Sequence, residues 1–108
     1  LVDSSEFDFI EILRGEHSFG SILSNLGFAC VPSNDHYGPE GSRYFSGGYN
    51  TLVHGSRNGG LISAIQIEAP KPGIRDNIDT WSKFASAFSK SVSLYYSTHL
   101  KREIKPIY

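Results

Sequence analysis

The stretch GGLISAIQIEA, residues 59–69, is an apolar run that finishes on Gln66 and Glu68. Side chains alternate faces along a strand, so Leu61, Ser63, Ile65 and Ile67 share one side, and Ile62, Ala64, Gln66 and Glu68 share the other. The second side starts apolar and ends polar. Open α/β sheets bind ligands at the carboxyl ends of their strands, which makes Glu68 a candidate carboxylate at the edge of a cleft. Its plainer use is to reach solvent or to pair with Lys71 or Arg75.

Other residue types with binding chemistry lie close by in sequence. Gly47 and Gly48 precede Tyr49 and permit a close backbone approach or a bulge. His54 precedes Gly55 and is near Arg57, as a ligand-facing imidazole or a capping group. Arg43, Arg57 and Arg75 fall in the connections, and a guanidinium fork can hold a carboxylate at two points. His17, His36 and His99 have no metal-type spacing, so this chain carries no complete zinc site by pattern, and no Ser/His/Asp arrangement is legible. The lone Cys30 has no intrachain partner and is a buried thiol or a bridge to another chain.

These residues need elements to position them. Residues 6–13 (EFDFIEIL) read as a strand covered on both faces, and 28–32 (FACVP) as a short strand closed by Pro32. Between them, Phe19, Ile22, Leu23 and Leu26 recur at helical spacing, with Ser18 as cap and Gly27 as stop. Residues 49–55 and 59–69 form the next two strands, joined by a tight glycine-containing linker. A long closing helix is expected over 78–100, with Trp81, Phe84, Ala85, Phe88, Val92, Tyr95 and His99 on its buried stripe and its serines toward solvent. The order predicts an α/β fold within 1–108: the C-terminal portion of a mixed sheet flanked by helices, completed by a separate N-terminal chain.

Composition removes several function classes. Ten Lys+Arg against eleven Asp+Glu leave a net charge of −1, with no block of like charge suited to nucleic acid or an anionic membrane. No apolar run approaches the ~20 residues of a bilayer span. The absence of methionine and the start at Leu1 read as a processed chain, soluble and of open compartment, with secretion compatible.

RGEHSFGSILSNLGFACVPS, then YFSGGYNTLVHGS, then AIQIEAPKPGIR resemble the C-terminal portion of N-formylglutamate amidohydrolase-like proteins, within the zinc carboxypeptidase-like hydrolases. The resemblance covers about residues 14–76 and rests on Gly47-Gly48-Tyr49, His54-Gly55 and Gln66-Ile67-Glu68 in order. It implies that Glu68 is the general base for a zinc-bound water attacking an amide. It also implies that Tyr49, His54 and Gln66 line the pocket, and that Arg43 or Arg57 holds a carboxylate of an N-acyl amino acid or peptide substrate. The family's zinc ligands lie upstream of anything here, so zinc and its ligands are expected from the N-terminal chain of the same precursor. The alternative is a non-catalytic peptide- or carbohydrate-binding protein using Tyr37, Tyr44, Phe45 and Tyr49, or a structural one.

Overall fold

The computed structural model describes residues 4–41, 48–56 and 59–105. Within them the chain forms four helices: α1 (Phe9–Arg14), α2 (Phe19–Asn25), α3 (Tyr49–His54) and α4 (Ile78–Leu100). No strand occurs among the described residues, which overturns the expected α/β mixed sheet in favour of a small helical arrangement.

The reason is local at two of the expected strands. Asp8 accepts the Glu11 N–H at 2.8 Å and caps α1, which turns the alternation of 6–13 into a helical face carrying Phe9, Ile12 and Leu13. Residues 49–54 coil behind Gly48, with the Thr51 hydroxyl donating to the Gly48 carbonyl at 2.9 Å. At the other two the reason is non-local, because a strand exists only where a neighbour supplies hydrogen bonds. With 6–13 and 49–54 helical, residues 28–32 and 61–69 have no ladder to join, and both lack regular structure.

The two helices expected from spacing are present as α2 and α4. Ser18 accepts from the Ser21 N–H at 3.2 Å to start α2, and Gly27, at φ +99°, lets the Phe28 N–H return to the Leu23 carbonyl at 3.2 Å. Helix α4 opens with a reciprocal cap: Asn77 Oδ1 accepts from Asp79 and Thr80, while Thr80 Oγ1 accepts the Asn77 N–H at 3.2 Å. Lys101 ends it in the left-handed region at φ 55°.

The core lies where α1 and α4 pack on α2. Ile12, Ile22, Leu23 and Ala87 are its buried apolar residues. Aromatic edges join the helices: Phe19 meets Phe88 at 5.4 Å and Tyr95 at 5.8 Å, and Phe28 meets Phe84 at 5.3 Å. The buried face of α4 differs in detail from the expected stripe. Trp81 and Ala85 are exposed, whereas Ala87 and Ser91 are inside, so the serines are not all solvated. Ser91 resolves its burial by donating to the Ala87 carbonyl at 2.9 Å.

Polar groups complete the packing. Ser21 Oγ, fully buried, donates to the Gly15 carbonyl at 2.7 Å and accepts from the Asn34 N–H and the Ser18 hydroxyl, each at 2.8 Å. One hydroxyl thereby fastens the end of α1, the start of α2 and the loop after Pro32. At the far end of α4, His99 is fully buried and tied on both ring nitrogens. No helix among the described residues is long and apolar enough to cross a membrane.

Candidate functional site

Residues of helices α1 and α2 line an open cleft of about 860 Å³ together with residues 28–32, His36, 38–40, 63–70, and Phe84 and Tyr95 of α4. Its lining is largely apolar, with Ile12, Phe19, Leu23, Phe28, Phe84, Ile65 and Ile67 among its residues. The segment that the sequence treats as a strand thus becomes one rim of the cleft. Glu68 and Gln66 stand on that rim, and Glu40 and His36 stand elsewhere on the lining. Among the described lining residues there are two carboxylates and no Lys or Arg.

Glu68 is aimed by hydrogen bonds instead of a sheet. The Gly48 N–H donates to Gln66 Oε1 at 2.7 Å, and Gln66 Nε2 donates to Glu68 Oε1 at 2.7 Å. The relay joins two of the three sequence motifs across eighteen positions. Gly55, of the third, lies against the same segment, since a Cβ there would stand 3.0 Å from Ala64 Cβ. All of Gln66, Glu68, Tyr49 and His54 are exposed. Tyr49, at the start of α3, and His54, in its last turn, are absent from the described lining, so Gln66 alone of the three expected pocket residues is there. Arg43 and Arg57 lie outside the described residues, as do Tyr44 and Phe45. Arg75 is exposed beyond the rim, its N–H bonded to the Lys71 carbonyl at 2.9 Å.

The described residues do not by themselves form a zinc site. Among the described residues no group of three or more His, Cys, Asp or Glu could hold a metal ion, and Glu68 has an amide, not a ligand, as its close partner. Cys30 also lines the cleft; it is a free, half-buried thiol that donates to the Phe28 carbonyl at 3.1 Å. Burial pushes its pKa up, against a weaker downward pull from the Ser24 hydroxyl, so it stays a thiol and not a nucleophilic thiolate.

A second polar cluster, unsuspected from the sequence, sits at the junction of the N-terminus with α4. Ser5 Oγ lies 2.7 Å from His99 Nδ1, and His99 Nε2 lies 2.8 Å from the His17 carbonyl. A carbonyl only accepts, so Nε2 carries the proton, and in the neutral ring Nδ1 accepts the Ser5 hydroxyl. Ser5 Oγ then takes the Phe7 N–H at 3.1 Å. Phe7 stacks on His17 at 4.4 Å, closing the ring over this junction. His99 is fully enclosed and satisfied at both nitrogens, so the cluster is a clamp between chain segments and not a reactive serine. Beside it, Glu11 Oε1 receives the His17 N–H at 2.9 Å and lies 2.8 Å from His17 Nδ1. These bonds, the backbone one first, hold the Glu11 carboxyl below its usual range.

No sequence spacing announces a cluster whose members are 82 and 94 positions apart. The cleft had a partial signal in Gln66 and Glu68, but Glu40 and His36 had none. Comparison of the chain with protein-family models, with curated proteins and with solved structures gives no match.

Proposed function

We propose that this chain is a binding module whose cleft takes a peptide segment or chain end bearing an apolar side chain, with an amide N–H or amino group meeting Glu68 at the rim. The observation that carries this reading is the combination of an apolar space of about 860 Å³ with two lining carboxylates and no described lining cation. Pockets of about 300–1,000 Å³ with apolar walls and few polar groups are the usual form of small-ligand sites. The walls reward burial of a Leu- or Phe-sized side chain, and the ionised carboxylates accept N–H donors while repelling a ligand carboxylate. A partner polypeptide that presents such a segment fits the same chemistry.

A second reading is amide hydrolysis with Glu68 as proton acceptor. What favours it is the relay from the Gly48 N–H through Gln66 to Glu68, with Gly55 beside Ala64, which links segments that carry the amidohydrolase-like resemblance. Zinc and the chain that would hold it remain expectations of that resemblance, and no step is drawn through the metal, because the described residues do not form its site.

One experiment separates the two. Binding of Leu-Phe amide, its N-acetyl form and N-acetyl-Leu-Phe with a free carboxylate is measured by calorimetry on the full chain. The amine-ended probe is expected to bind at least about tenfold more tightly than the carboxylate-ended one, and Glu68→Gln to remove most of the difference. No binding of any probe at millimolar concentration refutes the binding reading. Turnover of an acetylated probe that falls by about 100-fold or more in Glu68→Gln replaces it with hydrolysis.

A further inference from the structure

Phe28 lines both the cleft and a second, open recess of about 590 Å³, which residues 26–28 at the end of α2 form with residues of α4 between 82 and 90. The two spaces carry opposite charge. The cleft has two carboxylates and no Lys or Arg among its described lining residues, whereas the recess has Lys83 and Lys90 and no Asp or Glu. We propose that this recess binds an acid with an apolar body, an aryl or alkyl group lying against Leu26, Phe28 and Ala87 while its carboxylate or phosphate meets the two ammonium groups.

The lysines have no other use among the described residues. Neither takes part in a described ion pair or hydrogen bond. The end of α2 does not call on them at Leu23 or Ser24 either: the Leu23 carbonyl takes the Leu26 and Phe28 N–H groups at 3.1 and 3.2 Å, and the Ser24 carbonyl takes the Gly27 N–H at 2.9 Å. Two ammonium groups beside one recess repel each other, and an anion between them removes that repulsion.

Helix geometry lets the two charges converge. Lys83, Ser86 and Lys90 occupy one stripe of α4, and the lysine backbones are about 10.5 Å apart along its axis, at ~1.5 Å per residue. A flexible four-carbon stem from each end covers that span, so both ammonium groups can close on one anion near Ser86, whose hydroxyl is a further donor. An ammonium is a point charge and not a planar fork, so carboxylate and phosphate suit it alike. The apolar part of the ligand has its own surface to cover, since Leu26 is 42% exposed. A carboxylate-lined cleft repels the same ligand, so this inference does not rest on the cleft reading and can hold or fail without it.

The test is calorimetry and amide NMR on the full chain with hydrocinnamate, its neutral amide, phenyl phosphate and inorganic phosphate. At least one of the two aromatic acids is expected to bind about tenfold more tightly than both the amide and inorganic phosphate, with affinity falling as salt rises. The tighter acid identifies the anionic group. Shifts on titration are expected at 26–28 and 82–90. Lys83→Gln and Lys90→Gln keep good helix formers in α4, so together they should weaken acid binding at least about tenfold and leave the helical circular dichroism unchanged. No acid bound at millimolar concentration, an amide or inorganic phosphate that binds as well as the acids, shifts centred on 63–68, or binding that survives the double variant overturns the proposal.

Discussion

Ser21→Ala tests the account of how α1, α2 and the following loop are fastened. Its hydroxyl donates to the Gly15 carbonyl and accepts from Asn34 N–H and the Ser18 hydroxyl. Alanine leaves all three without that partner. Asn34 is exposed and can turn to water, but Gly15 and Ser18 are buried. The Gly15 carbonyl keeps the Ser18 N–H at 3.0 Å and Ser18 Oγ keeps the N–H of residue 21 at 3.2 Å, so each loses one of two bonds, and a loss of about 1–3 kcal/mol is predicted. That is a large fraction of the roughly 5–15 kcal/mol by which domains are stable. With a urea slope of about 1–3 kcal/mol per molar, the unfolding midpoint should fall by about 1 M. Ser18→Ala should cost less, about 1 kcal/mol, as the loss of a helix cap. The double variant should cost less than the two single changes together, because the Ser18 hydroxyl that Ser21→Ala leaves without its acceptor is then gone. A loss under about 0.5 kcal/mol in Ser21→Ala, the level of an ordinary surface change, would refute the reasoning.

Two further outcomes follow from particular contacts. A Cβ added at Gly20 of α2 would run into the Pro32 backbone carbonyl, so Gly20→Ala should destabilise by about 1–3 kcal/mol in urea unfolding, while Gly38→Ala, which opens onto empty space, should be near neutral. Burial pushes the Tyr95 phenol up to about 12, and the phenol also donates to the Ile12 carbonyl at 3.4 Å. Below about pH 10 folded and unfolded chains both keep that proton; above it the unfolded chain loses it first, so stability falls as pH rises from about 10 to about 12. Tyr95→Phe should remove this part of the alkaline loss when midpoints are compared from about pH 9 upward, and an unchanged slope in the variant would contradict the assignment.

The Glu68 region shows how a residue can reach a cleft on a scaffold other than the expected one. The alternation of residues 61–68 and its polar end were visible, and Gln66 and Glu68 do line a cleft. The agent that aims the carboxylate is the Gly48–Gln66 relay, which depends on two segments eighteen positions apart meeting in space. The pocket itself is made by α1, α2 and the rim together, so no single stretch could reveal that Glu40 and His36 belong to it.

What the sequence determined alone is the local chemistry of helix ends. Ser18 and Gly27 bracket α2, and Asn77 with Thr80 opens α4, because each cap is satisfied by atoms within a few positions. Asp8 belongs to the same class, yet its cap was masked by an alternating pattern that suits a strand equally well. Only the tertiary structure decided whether 61–69 would be paired, which turn of α4 faces inward at Ala87 and Ser91, and that His99 would close on Ser5 and His17. Those outcomes depend on groups far away in the chain, and a strand or a buried imidazole is defined by the partner that satisfies it.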